Sequence, residues 1–218
     1  MSSPKVTTSS GGNDHVTSAY NAKDHKELTS VYDAWASEYD EDLLKQQDYV
    51  APAHVAQAVV DAGGDMEGLI LDAGCGTGLS GAALVKAGAK AGSIDGLDLS
   101  PGMLDVARKS GIYRDLEVAD LNKPISKPDS IYDIVICVGT FTHKHVGPKP
   151  ALEELVRVLK TGGILAATIL DDIWTKEGFA DEVDRLEKEA LAEVIGSQSM
   201  DYRKAAGVKA KVLALRKN

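Results

Sequence analysis

Cysteine is scarce in this sequence of 218 residues, which has only Cys75 and Cys137. A disulfide framework needs several paired cysteines, so we expect two reduced thiols and a cytoplasmic location. The sequence also lacks an apolar run of about 20 residues, the length that crosses a bilayer. Its N-terminus has no basic segment that leads into an apolar one. These absences predict a soluble protein that does not use the membrane.

Positive charge is also in short supply, with 24 Lys and Arg against 33 Asp and Glu, for a net charge of -9. Phosphate contacts supply most non-specific affinity for nucleic acids, so this balance disfavours a nucleic-acid partner. The length suits a single α/β domain with little left for a second. Residues 1–24 are polar and have no apolar period, which predicts a disordered tail before a domain over residues 25–218.

One stretch combines a strand, a glycine loop and a helix start. Leu69–Leu71 predicts a short buried strand, and Asp72, Gly74, Gly76 and Gly78 follow it. A dinucleotide fingerprint needs its third glycine one position later. The acid would repel a pyrophosphate at this helix N-terminus but would suit a cationic nucleoside without phosphate, such as S-adenosylmethionine. The alternative is that the glycines only form a tight turn.

A second acid follows at the distance expected for a ribose contact. Residues 92–99 predict the next strand, and Asp98 near its end is placed to accept both ribose hydroxyls. Ser100 and Pro101 predict the start of a helix, as its N-cap and its first residue. Gly111 predicts where that helix ends.

The rest of the chain predicts alternating strands and helices. Further strands are predicted at 116–120, 132–138, 163–170 and 209–216, with a short partner strand at 200–202, and helices at 27–44, 49–62, 150–161 and 181–195. The run 132–138 is apolar almost throughout, as in a strand buried on both faces. The loop 139–150 leaves its carboxyl end, where ligands bind in open α/β sheets.

Two segments resemble the cofactor motifs of class I S-adenosylmethionine-dependent methyltransferases. They are Leu-Asp-Ala-Gly-Cys-Gly-Thr-Gly at 71–78 and Gly-Leu-Asp-Leu-Ser-Pro-Gly-Met-Leu at 96–104. The similarity to this class extends from about Leu28 to Leu165. It implies a single doubly wound, mostly parallel, Rossmann-like α/β sheet of seven strands with the last antiparallel, and an N-terminal helical lid over about residues 25–62. It also implies S-adenosylmethionine as cofactor and S-adenosylhomocysteine as product.

The same resemblance implies a set of cofactor contacts. Tyr-Asp-Ala-Trp-Ala-Ser-Glu-Tyr-Asp at 32–40 looks like a segment that lies over the cofactor in several small-molecule methyltransferases, although an aromatic stripe also suits a core. Asp120 resembles the acid that bonds the adenine amino group, or else it caps the following loop. The implied cofactor-binding residues are Tyr32, Trp35, Tyr39, Asp72, Gly74, Cys75, Gly76, Thr77, Gly78, Asp98, Leu99, Met103, Asp120, Leu121 and Val138.

The sequence shows no obvious catalytic signature. Methyl transfer from a sulfonium depends mainly on positioning, and a general base is needed only when the nucleophile carries a proton. His143 and His145 are candidate bases on the loop 139–150, because histidine titrates near neutrality. The alternative is that both histidines are solvent-exposed loop residues and not bases. A metal site is not expected, since two histidines are too few ligands and the fourth strand ends without an acid, at Val138.

The acceptor is predicted to be a small molecule. No Asn-Pro-Pro-Tyr or Asp-Pro-Pro-Tyr follows the fourth strand, the element with which related enzymes bind an exocyclic amine or an amide. We therefore expect metal-independent methylation of O, N or S in a small molecule by a monomer or weak homodimer. The alternatives are a protein or nucleic-acid methyltransferase, a cofactor-binding regulator or partner subunit, and a non-methylating enzyme on the same fold.

Overall fold

A seven-stranded sheet forms the centre of the computed structural model, which describes residues 10–218. The strands are β1 Ile70–Ala73, β2 Ile94–Asp98, β3 Tyr113–Val118, β4 Tyr132–Phe141, β5 Leu159–Leu170, β6 Ala192–Arg203 and β7 Val208–Lys217. The helices are α1 Asp14–Asn21, α2 His25–Trp35, α3 Tyr39–Glu41 with a π-helix at Asp42–Gln46, α4 Ala51–Asp61, α5 Leu79–Lys86, α6 Pro101–Lys109, α7 Ala151–Val158 and α8 Phe179–Lys188.

The strand order is β3-β2-β1-β4-β5-β7-β6, with parallel pairs from β3 to β5 and an antiparallel β7. This confirms the predicted doubly wound, Rossmann-like sheet. The middle of β4 is fully buried, as its apolar sequence predicts. The strand order reverses between β1 and β4, so a crevice opens there at the carboxyl edge of the sheet.

The helix after β2 follows the predicted capping pattern. The Ser100 Oγ accepts a hydrogen bond from the Met103 backbone N–H at 3.1 Å, and Pro101 is the first helical residue. Gly111, with φ of 68°, follows the end of the helix. These caps hold the start of α6 beside the end of β2, which is where Asp98 lies.

The structure corrects the predicted disorder of residues 1–24 from Ser10 onward, while residues 1–9 lie outside the described residues. Helix α1 begins after Asn13, whose Oδ1 accepts a hydrogen bond from the Val16 backbone N–H at 3.0 Å. Val16, Ala19 and Tyr20 lie on one face and are buried. Three apolar residues at helical spacing are enough here because the rest of the protein covers them.

The largest differences from the predicted element boundaries lie at α8 and β6. Helix α8 ends at Lys188 instead of 195, because the chain turns through Ala190 at a φ of 53° and enters β6. Strand β6 is an edge strand whose residues are mostly exposed or half-buried, so its sequence lacks a clear apolar alternation. It absorbs the short strand predicted at 200–202.

The helices of the predicted lid over residues 25–62 fall into two groups in the structure. Helix α4 buries Val55 and Val59 and packs against α5 and β5, so it belongs to the layers around the sheet. Residues 13–46, with α1, α2, α3 and the π-helix, lie over the carboxyl edge of the strands, and we call this segment the roof. Within residues 10–218, no helix is long and apolar enough to cross a membrane.

Candidate functional site

The glycine loop between β1 and α5 leaves its backbone bare toward the crevice. Gly74, Gly76 and Gly78 all have positive φ, at 79°, 53° and 104°. A Cβ on Gly76 would meet no atom within 4 Å, so this face of the loop is open for a ligand. A Cβ on Gly74 would instead lie 1.9 Å from Thr140 Oγ1. Glycine is therefore required at Gly74 by packing and at Gly76 by backbone conformation.

Asp98 lies beside this loop at the end of β2. Its Oδ2 accepts a hydrogen bond from the Gly76 backbone N–H at 2.8 Å, and its Oδ1 accepts one from Ser100 N–H at 2.9 Å. Burial raises the pKa of Asp98, and the same backbone N–H groups partly offset this rise. Each oxygen keeps a second lone pair, so the carboxylate can accept two hydroxyl groups on one side.

Three cavities meet under the roof. The large lobe has an empty volume of about 680 Å³, which includes space open to solvent. The loop lobe lies against residues 74–77 of the glycine loop. The tyrosine lobe lies under α1 and α2, and Tyr20, Tyr32 and Arg203 contribute to its wall. Tyr39 borders all three lobes, and Gly139 borders the large lobe and the tyrosine lobe. A ligand at this junction can reach into all of them.

Most of the predicted cofactor residues line the large lobe or the loop lobe. They are Tyr32, Tyr39, Gly74, Cys75, Gly76, Thr77, Asp98, Leu99, Met103, Asp120, Leu121 and Val138. Asp120 has a lowered pKa, because hydrogen bonds from Asn122 and Lys123 outweigh the opposing effect of burial. It therefore presents an ionised acceptor at the far end of the large lobe.

Three of the predicted contacts lie elsewhere. Asp72 lies beneath the loop, where its Oδ2 accepts hydrogen bonds from Ser80 Oγ and Tyr113 OH, both at 2.8 Å. Burial raises its pKa to about 6, against the effect of these two donors. The geometry thus does not support its predicted contact with a ligand cation. Gly78 packs against the Tyr113 ring, and Trp35 faces the tyrosine lobe instead of the large lobe.

Trp35 connects several segments of the roof through its side-chain contacts. Its Nε1 donates a hydrogen bond to Asp42 Oδ2 at 2.8 Å, and its ring packs against those of Tyr32 and Tyr39. Within the aromatic stripe, Trp35 is buried as in a core, while Tyr32 and Tyr39 border the large lobe, and their contact with a cofactor stays a prediction. The Thr77 Oγ1 donates to Asp40 Oδ1 at 2.5 Å, which ties the roof to the glycine loop.

The two candidate bases have different environments. The His145 Nδ1 donates to the His143 carbonyl oxygen at 2.6 Å, so the Nε2 accepts from the Tyr32 hydroxyl at 2.8 Å. Burial lowers the pKa of His145 to about 4. His145 is therefore neutral at pH 7. The lone pair on its Nε2 already accepts the hydrogen bond from Tyr32, which makes His145 a poor general base. His143 lies outside the large lobe, with Nε2 3.0 Å from Asp172 Oδ2.

Several residues of the site carry no sequence signal that singles them out. Tyr49 and Tyr202 bring their hydroxyls over Gly139, where a Cβ would lie 2.7 and 3.2 Å from them. Asn122 donates to the His145 carbonyl oxygen at 3.0 Å and so holds the loop after β4. Arg203 comes from the distant end of β6. Only the fold brings these residues to the crevice. Among residues 10–218, no group of three His, Cys, Asp or Glu side chains is arranged to hold a metal.

Fold and site together define a Rossmann-like protein with a crevice at the carboxyl edge of the sheet. A family model described as "Methyltransferase domain" matches residues 70–163. Human "Methyltransferase-like protein 27" is 33% identical over 198 residues, which cover 88% of this chain and 79% of that protein. The chain belongs to the S-adenosylmethionine-dependent methyltransferases, as the sequence predicts.

Two further matches agree with this assignment. "Malonyl-[acyl-carrier protein] O-methyltransferase" of Serratia marcescens is 31% identical over 157 residues, which cover 71% of this chain but 57% of that protein. The structure of magnesium protoporphyrin IX methyltransferase from Synechocystis, with bound S-adenosylmethionine, superposes with a TM-score of 0.62 at 20% identity. The superposition covers 90% of this chain and 99% of the Synechocystis chain, which shows that the two share a fold.

Proposed function

We propose that the protein transfers the methyl group of S-adenosylmethionine to a heteroatom of a small molecule, without a metal. The observation that carries this proposal is the junction of three lobes at Tyr39 under the roof. Two lobes suit the two ends of the cofactor, and the third offers a small acceptor a separate approach to their meeting point. The net charge of -9 argues against a nucleic-acid acceptor.

The residues of the crevice fit the cofactor. In this arrangement Asp98 accepts the two ribose hydroxyls and Asp120 accepts from the adenine amino group, while Leu121 and Met103 pack against the base. The backbone of the glycine loop then borders the amino-acid end in the loop lobe. The bound cofactor supplies an activated methyl group on a sulfonium. Tyr39 and Val138, which border both lobes, are the residues expected nearest to that sulfur.

Positioning and exclusion of water supply the catalysis in this proposal. The roof covers the junction with Tyr32 and Tyr39. Holding two reactants in line can contribute about 7–11 kcal/mol to the barrier. A base role for His145 has little support, because its pKa is about 4 and Tyr32 occupies its lone pair.

The experiment uses purified protein, methyl-labelled S-adenosylmethionine and a cell extract divided into small-molecule, protein and nucleic-acid fractions. We expect label in the small-molecule fraction and none after Asp98→Ala. Asp105→Ala changes an exposed acid on α6 and serves as the matched control. Label in a macromolecular fraction would contradict the small-molecule acceptor. Tight cofactor binding without label in any fraction would favour a regulator or a non-methylating enzyme.

A further inference from the structure

Two loops orient the carboxylate of Asp98. The Gly76 backbone N–H in the glycine loop donates to its Oδ2 at 2.8 Å, and the Ser100 backbone N–H before α6 donates to its Oδ1 at 2.9 Å. Both donors belong to the backbone, so the direction of the carboxylate follows the positions of the two loops. A hydrogen bond weakens steeply when its distance or angle departs from the optimum. The strength of Asp98 as an acceptor therefore depends on how firmly each loop is held.

The roof holds the loop before α6 through Asp33, which lies on α2. Its Oδ1 accepts hydrogen bonds from Ser100 Oγ at 2.5 Å and from the Gly102 backbone N–H at 2.9 Å. Ser100 Oγ also accepts from the Met103 backbone N–H at 3.1 Å, so its own proton points to Asp33. A Cβ on Gly102 would lie 3.0 Å from the Asp33 Cα, and glycine thus lets α2 pack directly on the start of α6.

The roof holds the glycine loop through a second acid, Asp40 of α3. Its Oδ1 accepts a hydrogen bond from Thr77 Oγ1 at 2.5 Å, and Thr77 directly follows Gly76 in the chain. Thr77 is buried, so its hydroxyl is shielded from competing water and the hydrogen bond is stronger than in solvent. Each of the two loops that donate to Asp98 is therefore fixed to the roof by a carboxylate.

We infer that Asp33 and Asp40 are positioning residues, which fix the Asp98 carboxylate in the direction that accepts the two ribose hydroxyls. The inference rests on the proposed function, in which Asp98 makes that contact. Recognition of the ribose is then complete only when the roof is in place. Burial raises the pKa of Asp98, and the nearby charge of Asp33 adds to this rise. Loss of that charge alone would favour the ionised Asp98, so a weaker ribose contact without Asp33 must come from lost positioning.

The test compares by calorimetry the affinities of S-adenosylhomocysteine and of its 2′-deoxyribose analogue. We expect the wild type to bind the ribose form at least ten-fold more tightly, because the analogue lacks one charged hydrogen bond to Asp98. Asp33→Ala and Asp40→Ala should each lower this ratio at least three-fold. Asp33→Asn keeps an oxygen that can accept from Ser100 and should preserve most of the ratio. Glu41→Ala removes an exposed acid of the roof and is the matched control, with the full ratio expected.

The ratio separates positioning from a general loosening of the roof. A roof that merely covers the crevice would lose affinity for both ligands equally, so an unchanged ratio in folded Asp33→Ala and Asp40→Ala would overturn the inference. Thr77→Val removes the contact with Asp40 from the loop side, and a full ratio in that protein would overturn the role of Asp40 even if Asp40→Ala does not fold. Equal affinity of the wild type for both ligands, or no binding of either, would instead contradict the proposed function.

Discussion

The low pKa of His145 should make the protein less stable at mildly acidic pH. Burial lowers its pKa from 6.5 to about 4, and the Tyr32 hydroxyl occupies the nitrogen that would take the proton. The unfolded chain binds a proton below about pH 6.5, but the folded protein does so only below about pH 4. Stability from this residue is therefore complete above pH 6.5 and declines as the pH falls from 6.5 toward 4.

The magnitude follows from these two pKa values. Near pH 5 the unfolded imidazole is protonated and the folded one is not, which costs about 2 kcal/mol of unfolding free energy at about 1.4 kcal/mol for each pH unit. For a chain of this length that corresponds to a melting temperature lower by roughly 4–8 °C. Other groups also titrate in this range, so the informative quantity is the difference between the wild type and a His145 variant.

Thermal and urea unfolding of the wild type, His145→Asn and His54→Asn between pH 5 and pH 8 measure that difference. His145→Asn should be less stable than the wild type at pH 8, because it loses the contact with Tyr32, but the gap should narrow by about 2 kcal/mol at pH 5. His54→Asn changes a histidine on α4, outside the three lobes, and should keep the wild-type profile. Parallel profiles for the wild type and His145→Asn would refute the reasoning.

Three further predictions concern the loop, the acids and the roof. Asp98→Ala should weaken S-adenosylmethionine binding by about 1.5–3 kcal/mol for each charged hydrogen bond lost, measured by calorimetry; an unchanged affinity would place Asp98 away from the ribose. Asp72→Asn should stabilise the protein by about 3 kcal/mol at pH 8 but not at pH 4, because ionising a buried acid whose pKa is raised to about 6 costs stability as the pH rises through that value. Urea unfolding at both pH values checks it, and an equal effect at both would contradict it. Deleting residues 1–24 should lower the melting temperature and the cofactor affinity, since it removes the buried Val16 and Tyr20; a truncated protein with unchanged melting and affinity would show that α1 is dispensable.

The glycine loop and its surroundings were predictable because local chemistry determines them. Gly76 needs a positive φ and Ser100 supplies a cap, and both are visible in a few neighbouring residues. The sheet order followed from the resemblance and from the apolar run in β4. These features need no knowledge of distant contacts.

The features that sequence reasoning missed depend on contacts across the fold. Helix α1 is stabilised by burial of one face against the rest of the protein, and only three apolar residues among polar neighbours mark that face in the sequence. Strand β6 is paired on only one side, so many of its residues are exposed and its sequence shows no clear apolar alternation. His143 and His145 are two residues apart, yet only His145 faces the large lobe, because the loop turns through Lys144 at a φ of 61°. Arg203 reaches the crevice only through the antiparallel return of β6.

The roof is attached at both ends of the crevice. On one side Asp33 accepts hydrogen bonds from Ser100 Oγ at 2.5 Å and from the Gly102 backbone N–H at 2.9 Å. On the other side Tyr20 contacts Arg203. We expect opening of these attachments to speed the release of a ligand from the lobes, so that its residence time depends on the roof as well as on the ligand's own contacts. Loss of the attachment at Asp33 should therefore shorten the residence time of S-adenosylhomocysteine.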